Sequence, residues 1–213
     1  MIVARKYPVI IGIAGGTGAG KTTICNQICQ HSQIDITVLN HDSYYKCLKH
    51  LPEDERAQYN FDKPEAFDND LLYESLRRLK NGQSANAPEY NFVTHTRTGK
   101  IKTVCPTELI LVEGILLFEN PEIRSCFDYK IYVDLEPDIR FIRRLTRDIK
   151  DRGRTVNSVV KQYLTSVRPM HNEHVEPTRA YADIVINGLC TATAVSQVIN
   201  HIDSIFLKLN NVS

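Results

Sequence analysis

Val9-Ile10-Ile11-Gly12-Ile13-Ala14 runs directly into Gly15-Gly16-Thr17-Gly18-Ala19-Gly20-Lys21-Thr22. The first six residues are rich in β-branched side chains and apolar on consecutive positions, as a strand covered on both faces is. The next eight fit G-x-x-x-x-G-K-[ST], and a helical pattern opens at Lys21, which is the strand–loop–helix context this phosphate-binding motif requires. Glycines let backbone N–H groups turn inward around phosphate oxygens, and the helix N-terminus adds a favourable dipole. Lys21 is expected to reach the β- and γ-phosphates and the Thr22 hydroxyl to coordinate Mg²⁺. The bland alternative is a glycine-rich turn that binds nothing; motif and context together outweigh it. Gly15 to Thr23 are therefore the expected site of a nucleoside triphosphate.

Working outward, Ile36–Asn40, Leu109–Val112, Ile131–Leu135 and Ile184–Ile186 read as further buried strands. Helical patterns occupy Lys21–His31, Asp70–Leu79, Asp138–Asp151, Val156–Asn172 and Ala192–Leu209. Strands separated by helices predict βαβ units and an α/β fold with a mostly parallel five-stranded sheet. Right-handed crossovers then line up the loops after the strands on one ligand-binding edge. Ala87–Val104 breaks this rhythm; polar and aromatic, it predicts an inserted β-hairpin.

Composition excludes several classes. The 213 residues are 42% hydrophobic and 24% charged, as expected of a soluble globular protein, and a sizeable core is within reach. A formal net charge of +1 gives no bulk attraction to nucleic acid or to an anionic membrane. The six cysteines, at 25, 29, 47, 105, 126 and 190, form no CxxC pair and read as reduced thiols. Arg5 and Lys6 before the apolar run imitate a short signal peptide, but the phosphate-loop pattern that follows argues against one. No apolar run reaches the length of a membrane span. A cytoplasmic location is expected.

Two acidic residues stand at strand ends. Glu113 closes an apolar strand before Gly114, where a carboxylate can hold Mg²⁺ directly or through water. Asp42 follows the second strand in Asn40-His41-Asp42-Ser43-Tyr44-Tyr45. A carboxylate there can take the proton of an attacking hydroxyl, and an Asx-type turn is an equal reading from position alone.

Over nearly its full length the sequence resembles the uridine–cytidine kinase family of P-loop kinases. Asp42-Ser43-Tyr44-Tyr45-Lys46 is similar to that family's catalytic aspartate motif, which favours Asp42 as the base alongside Lys21. Asn60-Phe61-Asp62-Lys63-Pro64-Glu65-Ala66-Phe67-Asp68 is similar to its sugar-binding motif, with Asp62 accepting from the ribose hydroxyls. Tyr90-Asn91-Phe92-Val93-Thr94-His95-Thr96-Arg97 resembles its pyrimidine hairpin; the likeness implies that Tyr90 and Phe92 pack around the base and His95 bonds its exocyclic edge. Without the family, the same aromatics read as hairpin packing. The resemblance also puts Tyr45 and Phe61 in the nucleoside set. Arg143-Arg144 through Arg154 resembles the lid, with Arg144 at the ribose and Arg147, Arg152 and Arg154 at the triphosphate; Asp148 and Asp151 interleave as they do on a solvated basic helix. Gln162 matches a further ribose or phosphate contact.

The family resemblance implies a single kinase domain over residues 1–213, with a base-binding hairpin at 87–104 and a lid at 143–163. It implies transfer of the γ-phosphoryl of Mg-ATP (GTP being a second possible donor) to the 5′-hydroxyl of uridine or cytidine, and a homo-oligomer, often a tetramer. Asn91, Lys63 and Asn187-Gly188 depart from the family pattern, where aspartate, histidine and a proline-containing turn are usual. They bear on specificity, not on the catalytic residues. The rivals are a related kinase for ribulose 5-phosphate or pantothenate and a GTPase switch, the latter opposed by the lack of an N-K-x-D-like segment. His171 and His174 form an HxxH pair without an evident third ligand, so no metal is expected there.

Overall fold

The computed structural model describes residues 8–189 and 192–210. Arg5, Lys6 and Cys190 lie outside them. Strands β1 (Val9–Ala14), β2 (Ile36–Asn40), β5 (Leu109–Gly114), β6 (Tyr129–Asp134) and β7 (Ile184–Asn187) form one sheet of order β2-β5-β1-β6-β7. Every pairing in it is parallel. β1 is central, so the phosphate loop leaves from the middle of the sheet.

The consecutive apolar residues of β1 and β5 split between two cores because side chains alternate along a strand. Ile10, Ala14, Ile110 and Val112 face a core closed by Leu72, Leu76 and Leu79 of α3 (Asn69–Lys80) and Ile123 of α4 (Pro121–Ser125). Val9, Ile11, Ile13, Leu109 and Leu111 face the other, closed by Ile24, Cys25 and Ile28 of α1 (Lys21–His31) and by Val198 and Ile202 of the last helix, Ala192–Asn210. Each large side chain fully withdrawn from water contributes about 1.5–3 kcal/mol. These two cores fix the sheet edge on which the site is built.

β3 (Ala85–Asn91) and β4 (Thr96–Val104) form the separate antiparallel hairpin, with a register shift between Pro88 and Tyr90. It begins two residues before the predicted start. Asn91 Oδ1 accepts from the Val93 and Thr94 N–H groups at 2.9 and 3.1 Å and so closes the hairpin turn. Aspartate could do the same, so this departure from the family pattern keeps the acceptor the turn needs.

Past β6 the chain enters α5 (Pro137–Arg152), then α6 (Val156–Gln162). The predicted helix Val156–Asn172 is not regular throughout. Tyr163–Val167 and His171–Val175 are wider turns, in which the Arg168 N–H reaches Tyr163 O and the Glu176 N–H reaches His171 O. Pro169 and Pro177 follow these turns; proline lacks an N–H and crowds the carbonyl four residues back, so local widening relieves the conflict. The sequence did not foretell the 3₁₀ turn His41–Tyr44 or the short helices α2 (Glu53–Gln58) and α4. Among the described residues no helix is long and apolar enough to cross a membrane.

Candidate active site

The phosphate loop is held by what lies beneath it. Gly18 has φ 77°, and a Cβ there would sit 2.3 Å from Arg140 O, so only glycine fits this turn. Gly16 lies over the Arg140 guanidinium, and Arg140, itself buried, donates to Leu135 O at 2.9 Å and to His171 Nε2 at 3.1 Å. Helix α1 opens at Gly20 with no side-chain cap and no acid in its first turn, leaving its N-terminal dipole for an anion. Lys21 Nζ donates to Gly15 O and Gly16 O at 3.0 and 3.1 Å. Burial lowers its pKa, while the Glu113 and Asp42 carboxylates pull it back up.

Beside the lysine, Thr22 Oγ1 donates to Glu113 Oε1 at 2.8 Å, and Asn40 Nδ2 donates to the same oxygen at 3.0 Å. Burial raises the Glu113 pKa, opposed chiefly by the Lys21 charge. A hydroxyl and a buried carboxylate are hard oxygen donors of the kind Mg²⁺ takes. Asp42 is not the Asx residue of its turn. That part is played by Asn40, whose Oδ1 accepts from the Asp42 N–H at 2.8 Å, so the Asp42 carboxylate is not used by the backbone. Asp42 Oδ1 is buried and makes no hydrogen bond, an orphan acceptor at the mouth of the phosphate site.

Two cavities meet at that carboxylate. One, of about 570 Å³, is lined by Thr17, Gly18, Gly20, Lys21, Thr22, Thr23 and Glu113. The other, of about 400 Å³, is lined by all eight residues expected around a nucleoside: Tyr45, Phe61, Asp62, Tyr90, Phe92, His95, Arg144 and Gln162. Thr17, Asp42, Phe92, Ile115, Arg147 and Arg152 line both. Gly15, Gly16 and Ala19 line neither and serve as the floor of the loop. Arg154, expected at the phosphates, lines only the second cavity.

The second cavity is an aromatic box. His95 stacks on Phe61 at 4.7 Å, and Tyr45 contacts Phe61 and Tyr90 at 5.2 and 5.3 Å. His95 adopts φ 55° in the hairpin turn, and burial, with Arg154 and Arg152 nearby, lowers its pKa. A neutral imidazole keeps one donor and one acceptor. The Tyr90 hydroxyl is buried with no hydrogen bond. Asp62, also buried, lies 3.9 Å from Arg144, and burial raises its pKa against the pull of that arginine.

Four residues that the sequence left without a role organise this site. Asn40 orients Asp42 and Glu113 together; its place two residues before Asp42 was the available signal. Arg97 donates to Tyr45 O at 3.0 Å and to Asp68 Oδ2 at 2.9 Å, tying the hairpin to the loop after β2. Arg140 braces the phosphate loop. Asp148 is fully buried among Arg144, Arg147, Arg152 and Arg154 rather than solvated, while Asp151 is exposed. Of the HxxH pair, His171 packs against Arg140 and His174 lies 3.5 Å from Glu173.

A parallel sheet whose central strand feeds a phosphate loop, with an acceptor-sized cavity opening beside it, defines the chain as a P-loop kinase in fold. The model of the family described as "Phosphoribulokinase / Uridine kinase family" matches residues 10–195, and the chain belongs to that family. It is 47% identical over 210 residues to a uridine kinase of Anoxybacillus flavithermus, covering 98% of this chain and 99% of the relative. It is 51% identical over 182 residues to a uridine kinase of Geobacillus kaustophilus, covering 85% and 86%. Among solved structures, the phosphoribulokinase of Rhodobacter spheroides superposes with a TM-score of 0.64 at 17% identity, covering 86% of this chain and 71% of that one. A possible uridine kinase from Bacillus stearothermophilus gives 0.60 at 20% identity, covering 86% and 90%. At such identities these structures speak for the fold alone.

Proposed function

We propose that this protein transfers the γ-phosphoryl group of ATP to the 5′-hydroxyl of uridine and cytidine, giving UMP or CMP and ADP. The observation that carries the reading is the position of Asp42: its carboxylate lines both cavities and has an oxygen free of any hydrogen bond. A hydroxyl entering from the aromatic side would meet Asp42 before it meets phosphate. Asp42 accepts the hydroxyl proton as the oxygen attacks the γ-phosphorus and the bond to the ADP oxygen breaks. Lys21 and the phosphate loop hold the donor, and the guanidinium groups of Arg147 and Arg152, which line both cavities, offset charge on the moving phosphoryl group. Thr22 and Glu113 would hold Mg²⁺, which when bound neutralises charge on the β- and γ-phosphate oxygens.

On the acceptor side, Asp62 and Arg144 offer an acceptor and a donor to the ribose hydroxyls. The aromatic box suits a flat base better than a sugar phosphate. His95, as a neutral ring, can donate to uracil O4 or accept from cytosine N4, so one pocket takes both bases. Two relatives that match most of the chain at 47% and 51% identity are named uridine kinase, which supports the same acceptor.

The test is transfer of label from γ-labelled ATP, with Mg²⁺, to uridine, cytidine, adenosine, guanosine, thymidine, ribulose 5-phosphate and pantothenate. Labelled UMP and CMP with little other product is the expected result. Product from another acceptor alone would remove the base-binding role of the hairpin. Phosphate release without acceptor product would point to a nucleotide switch.

A further inference from the structure

Within the kinase reading above, on which this inference rests, we propose that Asp148 is the positioning residue of the lid. Its carboxylate gathers Arg144, Arg147, Arg152 and Arg154 into one cluster over the two cavities before any phosphate arrives.

The sequence Arg144-Leu145-Thr146-Arg147-Asp148-Ile149-Lys150-Asp151-Arg152 sets Arg144 and Arg152 one turn either side of Asp148 on α5, where side chains four apart share a face. The helix ends at Gly153 (φ 64°), and the Arg154 N–H then donates to Asp148 O at 3.1 Å, which returns Arg154 to the same place. Asp148 is 0% exposed. Its Oδ1 accepts from Arg147 Nε and Nη2 at 2.9 and 2.8 Å, with an Arg152 nitrogen at 3.4 Å. Its Oδ2 makes no hydrogen bond; the nearest charges are Arg144 at 3.5 Å and Arg154 at 3.7 Å.

A carboxylate wholly out of water persists only where opposite charges surround it. The converse matters more here. Four guanidinium groups in one cluster repel one another, and Asp148 is the anion they share. Asp148, with Asp62 3.9 Å from Arg144, offsets only part of the four, so the cluster keeps a surplus for triphosphate oxygens. Arg144 extends the cluster by donating to Thr17 Oγ1 at 3.2 Å and to Gln162 Oε1 at 2.9 Å, which links lid, phosphate loop and α6. Arg154 bonds the same Gln162 oxygen.

Asp148→Asn keeps the volume and removes the charge. The expected result is a loss of kcat for transfer to uridine of about 10- to 100-fold, the scale on which misplaced catalytic groups cost rate. The KM for ATP is expected to move by less than about threefold, because Lys21 and the loop supply the ground-state binding. Hydrogen exchange should quicken across residues 143–158 and not in β1 or β5. Unchanged kcat, or a loss of kcat matched by faster exchange through the whole sheet, overturns the proposal. Should the variant fail to fold, the wild-type protein carries the test through the ¹⁵N signals of its arginine side chains without nucleotide. A slowly exchanging Arg147 Nε–H is expected, and rapid exchange at all four arginines overturns the proposal. If the wild-type protein phosphorylates no nucleoside, the acceptor assignment falls, while the exchange measurements still decide the role of Asp148.

Discussion

Asn40 holds Asp42 in place without touching its carboxylate: the Asn40 Oδ1 atom accepts from the Asp42 N–H at 2.8 Å, and the Asn40 amide donates to Glu113 Oε1 at 3.0 Å. One planar amide thus fixes the spacing between Asp42 and Glu113. Each group contributes one polarity, so no isosteric exchange keeps both bonds. Asn40→Ala is expected to lower kcat by about 10- to 100-fold through displacement of Asp42 and to cost about 1–3 kcal/mol for the N–H left without a partner. Asn40→Asp keeps the acceptor for the Asp42 N–H but replaces the donor to Glu113 with a third carboxylate, and the added negative charge should lower the Mg²⁺ concentration needed for half-maximal activity. Steady-state kinetics against Mg²⁺ concentration would check both, and a normal kcat in Asn40→Ala would remove the coupling.

Asp42→Asn separates chemistry from binding. The asparagine fills the same space, and the contacts of Lys21 with Gly15 O and Gly16 O do not involve it. ATP affinity by calorimetry should stay near normal while kcat falls by about 10²–10⁴-fold, the usual worth of a general base. Turnover that survives intact would take Asp42 out of the reaction.

The phosphate loop and the sheet around it were legible because local rules and tertiary demands agree there. Consecutive apolar residues make buried parallel strands, and G-x-x-x-x-G-K-T needs little from the rest of the chain. Asp148 counted toward the alternative of a solvated helix because Arg-Asp alternation looks the same on a solvated helix as on a buried one; the turn at Gly153, which brings Arg154 back to Asp148, distinguishes them. The break in the helix after Gln162 was missed although Pro169 is visible, because widened turns depend on what His171 packs against. The aromatic box took shape from long-range packing of residues 45, 61 and 90–95, which spacing alone cannot bring together.

Arg97 gives the hairpin its own test. Its bonds to Tyr45 O and Asp68 Oδ2 anchor the strand that follows His95, and Asp68 also caps α3 by accepting from the Leu71 N–H. Arg97→Met keeps the stem and removes the fork. The pair is partly exposed, so stability should change by no more than about 1 kcal/mol. The KM for uridine is expected to rise by about tenfold, while the KM for ATP holds. A rise in both would mean that the hairpin also shapes the phosphate side.

Gly188 bears on the nucleotide side. A Cβ there would lie 2.0 Å from Ala19 O, inside the phosphate loop's own backbone, so the loop or β7 must shift. The Gly188 N–H donates to Asp134 O at 2.7 Å, and Gly188 O accepts from Arg143 at 2.8 Å, so the chain has little freedom to withdraw. Gly188→Ala should therefore weaken ATP binding and lower stability by about 1–3 kcal/mol, as overpacking does. Uridine binding measured alone should be little affected; equal loss of both ligands would argue for general unfolding instead.

Acid should unfold this protein through two histidines. His41 is fully buried, stacks on Phe67 at 4.0 Å and lies 3.3 Å from Asn69 Oδ1; burial lowers its pKa from 6.5 to about 3. His171 is lowered to about 4, first by burial and then by the Arg140 charge. Both folded values lie below the unfolded one, so the unfolded chain binds protons first as pH falls. The stability these neutral rings permit is complete above pH 6.5 and is lost progressively down to pH 3–4. Each can cost about 3–5 kcal/mol at the acid end of that window. Urea unfolding at pH 8, 6 and 5 should show falling stability, and His41→Gln should flatten the slope even if it lowers stability at pH 8. An unaltered slope in that variant would mean that His41 takes up its proton without unfolding the chain.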